Sequence, residues 1–317
     1  MRIFLDAMGG DNAPQATCQG AIEALRTYPE LEISLAGVLE DMKACLQDYD
    51  DVKNRLTLVD APEIITNHES PVMGVRRKTK SAVVMGMMAV RNGEADGFVS
   101  AGSTGAVLAG GMFRLGRIPG IERPALAPLM PNGKGYFLLI DCGANVDCQG
   151  DWLFQFGLMG DAYMKGVMGM PNPRVGLLNI GAEAEKGNAL VKAAYPLMEK
   201  APYNFVGNVV LKFMEGVAGT LMGIIKNEMM GDTRSKIGAL LAKPAFRRVK
   251  KTMDYTEVGG APLLGVQGAV VKAHGSSNAH AIACAVGQAV KMINGKVVER
   301  ITEKLEEVSL QTQADDK

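Results

Sequence analysis

Net charge is what this sequence most plainly lacks: 34 lysine and arginine residues balance 34 aspartate and glutamate residues over 317 positions. Without a basic excess there is no bulk electrostatic reason to expect nucleic acid as a partner, and any anion site must be local. Paired cysteines are missing too. The five present (Cys18, Cys45, Cys142, Cys148, Cys284) are odd in number and scattered, and Cys142 with Cys148 lacks the CxxC spacing of a zinc site. That usage fits a reducing, cytoplasmic compartment. No apolar run is long and unbroken enough to cross a bilayer. The chain opens directly on a strand with no basic-then-apolar leader, so export is not expected. There is no convincing GxGxxG fingerprint, linker, low-complexity tract or fixed-period repeat.

What is present is a recurring unit. Five times a short apolar run stops at a loop of Gly, Asn, Ser or Asp before a helix-like segment: Asp6–Pro14, Ser100–Gly105, Asp141–Asn145, Asn179–Glu183 and His274–Asn278. In the first loop Asn12 is placed to cap a helix, with Pro14 in its first turn. Gly9 and Gly10 there either make a tight turn or let a ligand reach the backbone. Loops at strand C-termini of a parallel sheet share one rim, and N–H groups at helix starts suit an anion, most simply phosphate.

The wider pattern alternates. Ile3–Leu5, Ile33–Gly37, Leu56–Val59 and Gly97–Ser100 read as buried strands between helices at Ala16–Tyr28, Glu40–Asp48, Ala82–Asn92 and Ala106–Leu115. Ala127–Met130 and Phe137–Ile140 read as a hairpin around Pro131-Asn132-Gly133. A helix near Asp151–Met168, a strand Val175–Asn179, a helix near Asn188–Lys200 and a strand Asn204–Val206 resume the alternation. One helix is expected over Val209–Met230, one strand over Leu263–Ala273 and a small-residue helix over Ala279–Ile293. The pattern predicts α/β architecture with a mostly parallel sheet and helices on both faces. A single domain is expected over 1–308, with a helical accessory lobe near 230–255 and a disordered tail at 309–317.

Eight segments together are similar to a known family: Asp6–Pro14, Ser100–Gly105, Gly120–Pro124, Asp141–Asp147, Pro173–Gly181, Lys186–Asn188, Gly259–Val266 and His274–Asn278. In this order they resemble the bacterial phosphate acyltransferases, the acyl-[acyl-carrier-protein]:phosphate transacylases of phospholipid synthesis, from Arg2 to about Ile293. The resemblance implies an α/β/α sandwich like that of phosphotransacylases and isopropylmalate dehydrogenases. One departure stands out. Where the family inserts a further strand, helix and strand carrying an Asp-Gly-Phe-Thr-Gly-Asn loop, Asn208 here runs straight into Val209-Val210-Leu211-Lys212. A stretch on the order of two dozen residues is absent if a βαβ crossover is the measure.

The reaction the resemblance implies is attack of inorganic phosphate on a long-chain thioester, releasing acyl phosphate and free carrier protein. It needs an anion cradle, aim, and stabilisation of the tetrahedral oxygen and departing sulfur rather than a strong base. The candidates for catalysis are Lys186, His274 and Asn208. Those for substrate binding are Asp6, Gly9, Gly10, Ser100, Gly102, Ser103, Thr104, Arg123, Asn145, Asn179, Gly275 and Ser276. Lys186 would act as a point charge and Arg123 as a fork; His274 would donate a hydrogen bond or a proton to the leaving sulfur. Each has a plainer reading beside it. Ser103 and Thr104 could cap a helix, His274 could be structural, and Lys186 could be a solvated charge. Asp6, Asp11, Asp141 and Asp147 read as caps and turns rather than a magnesium site, and no cofactor or metal is expected. No cysteine is read as a nucleophile, since none has a suitable histidine partner in sequence.

The segment Lys236–Lys251 sets Leu240, Leu241 and Phe246 among Arg247, Arg248, Lys250 and Lys251. It suits an anionic membrane surface, an acidic carrier protein, or a dimer interface. The resemblance further implies a homodimer, peripheral membrane association, and a membrane-bound glycerol-3-phosphate acyltransferase downstream. Two other functions stay open: an inactive remnant lacking the loop after Asn208, and a coenzyme A-dependent phosphotransacylase.

Overall fold

In a computed structural model, the structure describes residues 1–131, 135–180, 183, 186–210, 231, 238, 242, 244 and 259–315. The expected helix over Val209–Met230, the accessory lobe, and the contacts assigned to Leu240, Leu241, Phe246, Arg247, Arg248, Lys250 and Lys251 therefore lie outside the described residues, apart from Val209, Val210 and a few lobe positions.

The alternation seen in sequence is the alternation that folds. β1 (Arg2–Asp6), β2 (Glu32–Gly37), β3 (Leu56–Asp60) and β4 (Gly97–Ser100) are interleaved with α1 (Gln15–Thr27), α2 (Leu39–Cys45), α3 (Pro71–Arg77) and α4 (Ala82–Arg91). α5 (Thr104–Gly110) continues through a wider turn at Gly111–Leu115. β5 (Ala125–Leu126) precedes the antiparallel hairpin of β6 (Leu129–Pro131) and β7 (Tyr136–Leu138). Then come α6 (Gly150–Met168), β8 (Arg174–Asn179), α7 (Ala189–Glu199) and β9 (Asn204–Val210), with β8 and β9 forming a parallel pair. β10 (Gly260–Leu264), β11 (Ala269–Ala273), α8 (Ala279–Asn294) and α9 (Val297–Asp315) complete the described elements.

The main sheet has seven strands in the order β3-β2-β1-β4-β11-β10-β5. Pairings from β3 through β11 are parallel, while β10 runs antiparallel to both its neighbours. Successive side chains leave opposite faces of a strand. Ile3 and Leu5 accordingly join the apolar layer with α1 and α8, whereas Phe4 and Phe98 join the layer with α4 and α5. Gly20 of α1 lets the two helices approach closely: a Cβ there would sit 2.6 Å from the Ala279 carbonyl oxygen at the start of α8.

Three expectations change. Leu263–Ala273 is two antiparallel strands, because Gly265 (φ +91°) turns the chain between them. The backbone is helical through Asp315, where a disordered tail was expected from 309. This helix is anchored by Lys304, whose ammonium lies 3.0 Å from the fully buried Asp161 carboxylate of α6. The junction at Asn208–Val209 falls inside one strand: β9 stays paired to β8 across it, with a bulge between Val175 and Leu177 opposite Gly207 (φ +82°). A bulge absorbs an extra residue on one strand. Glycine is the residue that takes this φ cheaply.

Candidate active site

From β1 the chain steps outward to β2 and β3, then returns to β4 on the other side of β1. This reversal opens a crevice beyond the C-terminal ends of β1 and β4, the place where parallel α/β sheets bind ligands. The loops after β1, β4 and β11 meet there. Asp11 N donates to Gly275 O at 2.6 Å, and a Cβ on Gly9 would lie 2.5 Å from the Gly102 nitrogen. Asn12 does not cap α1. Its Nδ2 instead donates to Ser276 O at 3.2 Å and Ser277 O at 3.4 Å, tying the first loop to the last. Ser103 does cap α5, accepting from Ala106 N, and Asn278 caps α8 by accepting from Ala281 N.

Beneath the loops lies a buried polar group. Asp6 accepts from the Ser100 hydroxyl at 2.7 Å and from Met8 N at 3.0 Å, and Ser100 Oγ accepts from Gly102 N at 3.0 Å. Lys272, on β11, donates to Ala101 O at 3.4 Å and to Ala273 O. Burial pushes the Asp6 carboxyl above its ordinary range, against opposing hydrogen bonds from Ser100, Met8 and Gly9 and the charge of Lys272. Burial likewise pulls the Lys272 ammonium down to about 8, against the attraction of Asp6 and Asp11. Desolvation outweighs charge pairing on both sides. A cleft of about 250 Å³ opens beside this group, lined partly by Met8, Gly9, Glu63, Ile64, His68 and Gly102.

His274 sits exposed on the third loop. Its Nδ1 accepts from Ser276 N at 3.2 Å and lies 2.8 Å from Ser276 Oγ. A ring nitrogen that accepts a backbone N–H has no proton of its own, so the neutral imidazole carries its proton on Nε2.

The structure thus gathers Asp6, Gly9, Gly10, Ser100, Gly102, Ser103, His274, Gly275 and Ser276, with Thr104 exposed at the start of α5. Two other groups form elsewhere. Arg123 lays its guanidinium over the Trp152 ring, 4.9 Å from the centroid. Asn145 donates to Pro124 O at 2.9 Å and is held by Asp141, whose carboxylate also accepts from Leu126 N and Asn145 N. Asn179 closes the loop after β8 by donating to Lys186 O at 2.9 Å, and Asn208 donates to Glu183 O at 2.7 Å. Lys186 is exposed on that loop. Among the described residues, the cation under the three converging loops is Lys272. Its sequence signal is a lysine inside the otherwise apolar strand Ala269-Val270-Val271-Lys272-Ala273.

A family profile described as "Fatty acid synthesis protein" matches residues 1–207 and 201–300. A phosphate acyltransferase of Alkaliphilus oremlandii is 46% identical over 325 aligned residues, covering 96% of this chain and 97% of its own length. The chain belongs to the phosphate acyltransferase family. Members from Clostridium acetobutylicum and Clostridium novyi are each 43% identical, covering 98% and 97% of the chain. The alignment with the Alkaliphilus member spans more positions than the 317 residues of the chain, although only 96% of the chain takes part. Gaps therefore fall opposite residues of the relative. The two profile matches also meet at residues 201–207, beside the junction seen in sequence. Among solved structures, a EutD phosphotransacetylase from Staphylococcus aureus (TM-score 0.57, 17% identity) covers 94% of each chain. A phosphotransacetylase from Streptococcus pyogenes (TM-score 0.58, 16% identity) also covers 94% of each. At such identity these relatives bear on the fold alone, and they agree with the α/β sandwich expected of a phosphate acyltransferase.

Proposed function

We propose that the chain transfers a long-chain acyl group from acyl-acyl-carrier protein to inorganic phosphate, giving the acyl phosphate used in phospholipid synthesis. The observation that carries this reading is the meeting of the loops after β1, β4 and β11 over the buried Asp6–Ser100–Lys272 group. Backbone N–H groups at the start of α5 (Ser103–Gly105) and of Gly275 cradle phosphate, and Lys272 supplies positive charge from below while holding the Ala101 carbonyl of the β4 loop. A phosphate oxygen attacks the thioester carbonyl carbon, the tetrahedral oxyanion collapses, and the carbon–sulfur bond breaks. The sulfur leaves as the thiolate, and His274 directs its Nε2–H at it as a hydrogen-bond donor. On the β8–β9 side, Asn179 and Asn208 tie down the loop on which Lys186 stands exposed, and Lys186 offers the substrate a cationic contact. Arg123 and Asn145 order the loop that flanks it.

In this reading the enzyme works as a homodimer on the cytoplasmic membrane surface, where Leu240, Leu241 and Phe246 enter the interface and Arg247, Arg248, Lys250 and Lys251 meet anionic headgroups. Its product passes to a membrane-bound glycerol-3-phosphate acyltransferase. Flotation with anionic and with neutral vesicles, alongside mass by light scattering, tests both parts.

The decisive experiment follows free carrier-protein thiol released from palmitoyl-carrier protein with and without phosphate. Phosphate-dependent release supports the reading. Absence of release from folded protein would leave the inactive remnant, which the gap beside Asn208 favours, and release from acyl-coenzyme A alone would replace the carrier protein as donor.

A further inference from the structure

At the seam between α1 and α8, three side chains meet. Glu23 Oε1 lies 2.6 Å from His280 Nδ1, and His280 Nε2 lies 3.6 Å from Cys284 Sγ. His280 and Cys284 are one helical turn apart on α8 and Glu23 comes from α1, so the array is fixed by the close α1–α8 packing. We infer that Cys284 is a reactive thiol, activated by a Glu23–His280 relay, and a site of modification by soft electrophiles and hydroperoxides. The carboxylate holds the imidazole with Nδ1–H toward Glu23. The Nε2 lone pair then faces the thiol and can take its proton, leaving a thiolate beside an imidazolium that the carboxylate stabilises.

Three of the other four cysteines set a contrast. Cys18 is fully buried and burial pushes its thiol up to about 12. Cys142 and Cys148 are raised by partial burial and by the charge of Asp141. Cys284 is half-buried, in contrast to the enclosed Cys18. With a hydroperoxide, the sulfur attacks one peroxide oxygen, the O–O bond breaks and an S–O bond forms. The thiol proton travels through His280 to the departing oxygen, which leaves as water or alcohol. Sulfur is oxidised by two electrons to the sulfenic acid and the peroxide is reduced by two.

The test is competitive alkylation of the full native chain at pH 7 with substoichiometric iodoacetamide, read by peptide mass mapping. Cys284 is expected to react on the order of tenfold faster than the exposed Cys142, and His280→Asn to bring it to the Cys142 rate or below. Glu23→Gln should fall between. Protection of Cys18 reports that each variant is folded. Should a variant expose Cys18, the wild-type ranking and dimedone trapping of the sulfenic acid at Cys284 after hydrogen peroxide decide the question. Cys284→Ser should lose the adduct and keep phosphate-dependent thiol release. Equal or slower reaction of Cys284 than Cys142 in the wild type, or a rate untouched by His280→Asn, overturns the inference.

Discussion

The Ser100 hydroxyl donates to Asp6 Oδ2 at 2.7 Å, bridging the C-terminal ends of two neighbouring parallel strands, β1 and β4. The same oxygen of Ser100 accepts from Gly102 N at 3.0 Å. One fully buried hydroxyl therefore sets the distance between two loops of the candidate site and satisfies groups on both. Removing it should be felt in stability and turnover together. Ser100→Ala is expected to lower unfolding free energy by about 1–3 kcal/mol, because a buried carboxyl and a backbone N–H lose their partner. Urea unfolding would measure this, and a change below about 0.5 kcal/mol would mean the bridge is dispensable.

Lys272 should give the reaction an alkaline limit. An exposed lysine would stay charged far above neutrality, but burial brings this one to about 8. Inorganic phosphate is already dianionic in that range, so loss of the ammonium is the change that matters. KM for phosphate is expected to rise through pH 8–9.5, by up to about tenfold per pH unit. Lys272→Met should show a raised KM at pH 7 and no such limb. The stability effect has the opposite sense. The unfolded chain binds this proton more tightly than the folded one, so the lysine's destabilising contribution is full below about 8 and fades as pH rises toward the ordinary lysine value.

Gly9 is where the β1 loop touches the β4 loop. Gly9→Ala would place a methyl 2.5 Å from the Gly102 nitrogen and 2.7 Å from Asp6 Oδ2. Both neighbours are fixed, so the loops must part. A fall in kcat/KM of about 10²-fold is expected, the scale that small misplacement of a reacting group produces. The melting temperature should shift only modestly. Retention of full activity would remove this loop from the site.

Asp161 ties the last helix to the body of the protein. Its buried carboxylate lies 3.0 Å from both Lys165 and Lys304, and Lys304 also donates to Pro202 O at 3.1 Å. Asp161→Ala strands two ammonium groups in a largely dry setting and should cost about 3–5 kcal/mol. Hydrogen exchange across Val297–Val308 would register the loss first, since α9 depends on α6 for its anchor.

Much of this architecture was legible from local pattern. The short apolar strands Ile33–Gly37 and Gly97–Ser100 and the helix Ala82–Asn92 were readable to within a residue or so, because their period and end signals agree with the fold. The loop Gly102–Gly105 was legible as a turn rich in N–H groups, and the seam at Asn208 as a break in family order. Other features were not. Asn12 looks like a helix cap in sequence, yet its amide spends both bonds on a loop more than 260 residues away. The sequence reading that no cysteine has a suitable histidine partner is corrected by the structure: His280 lies one helical turn before Cys284, and Glu23, which makes the histidine a relay, is 257 positions distant from it.

By itself, then, the sequence determined the strand–helix alternation, the family, the strand-end loops and the break between Asn208 and Val209. These rest on side-chain period and on residue types with narrow backbone preferences, both local properties. Only the tertiary structure decided which loops meet. Sheet order puts β11 beside β4 and β4 beside β1, and so sets Lys272 beneath the Asp6 and Ala101 loops while Asn145, Asn179 and Arg123 serve other contacts. Strand adjacency is fixed by pairing between distant segments and by the burial of both sheet faces, quantities that no short window of sequence contains.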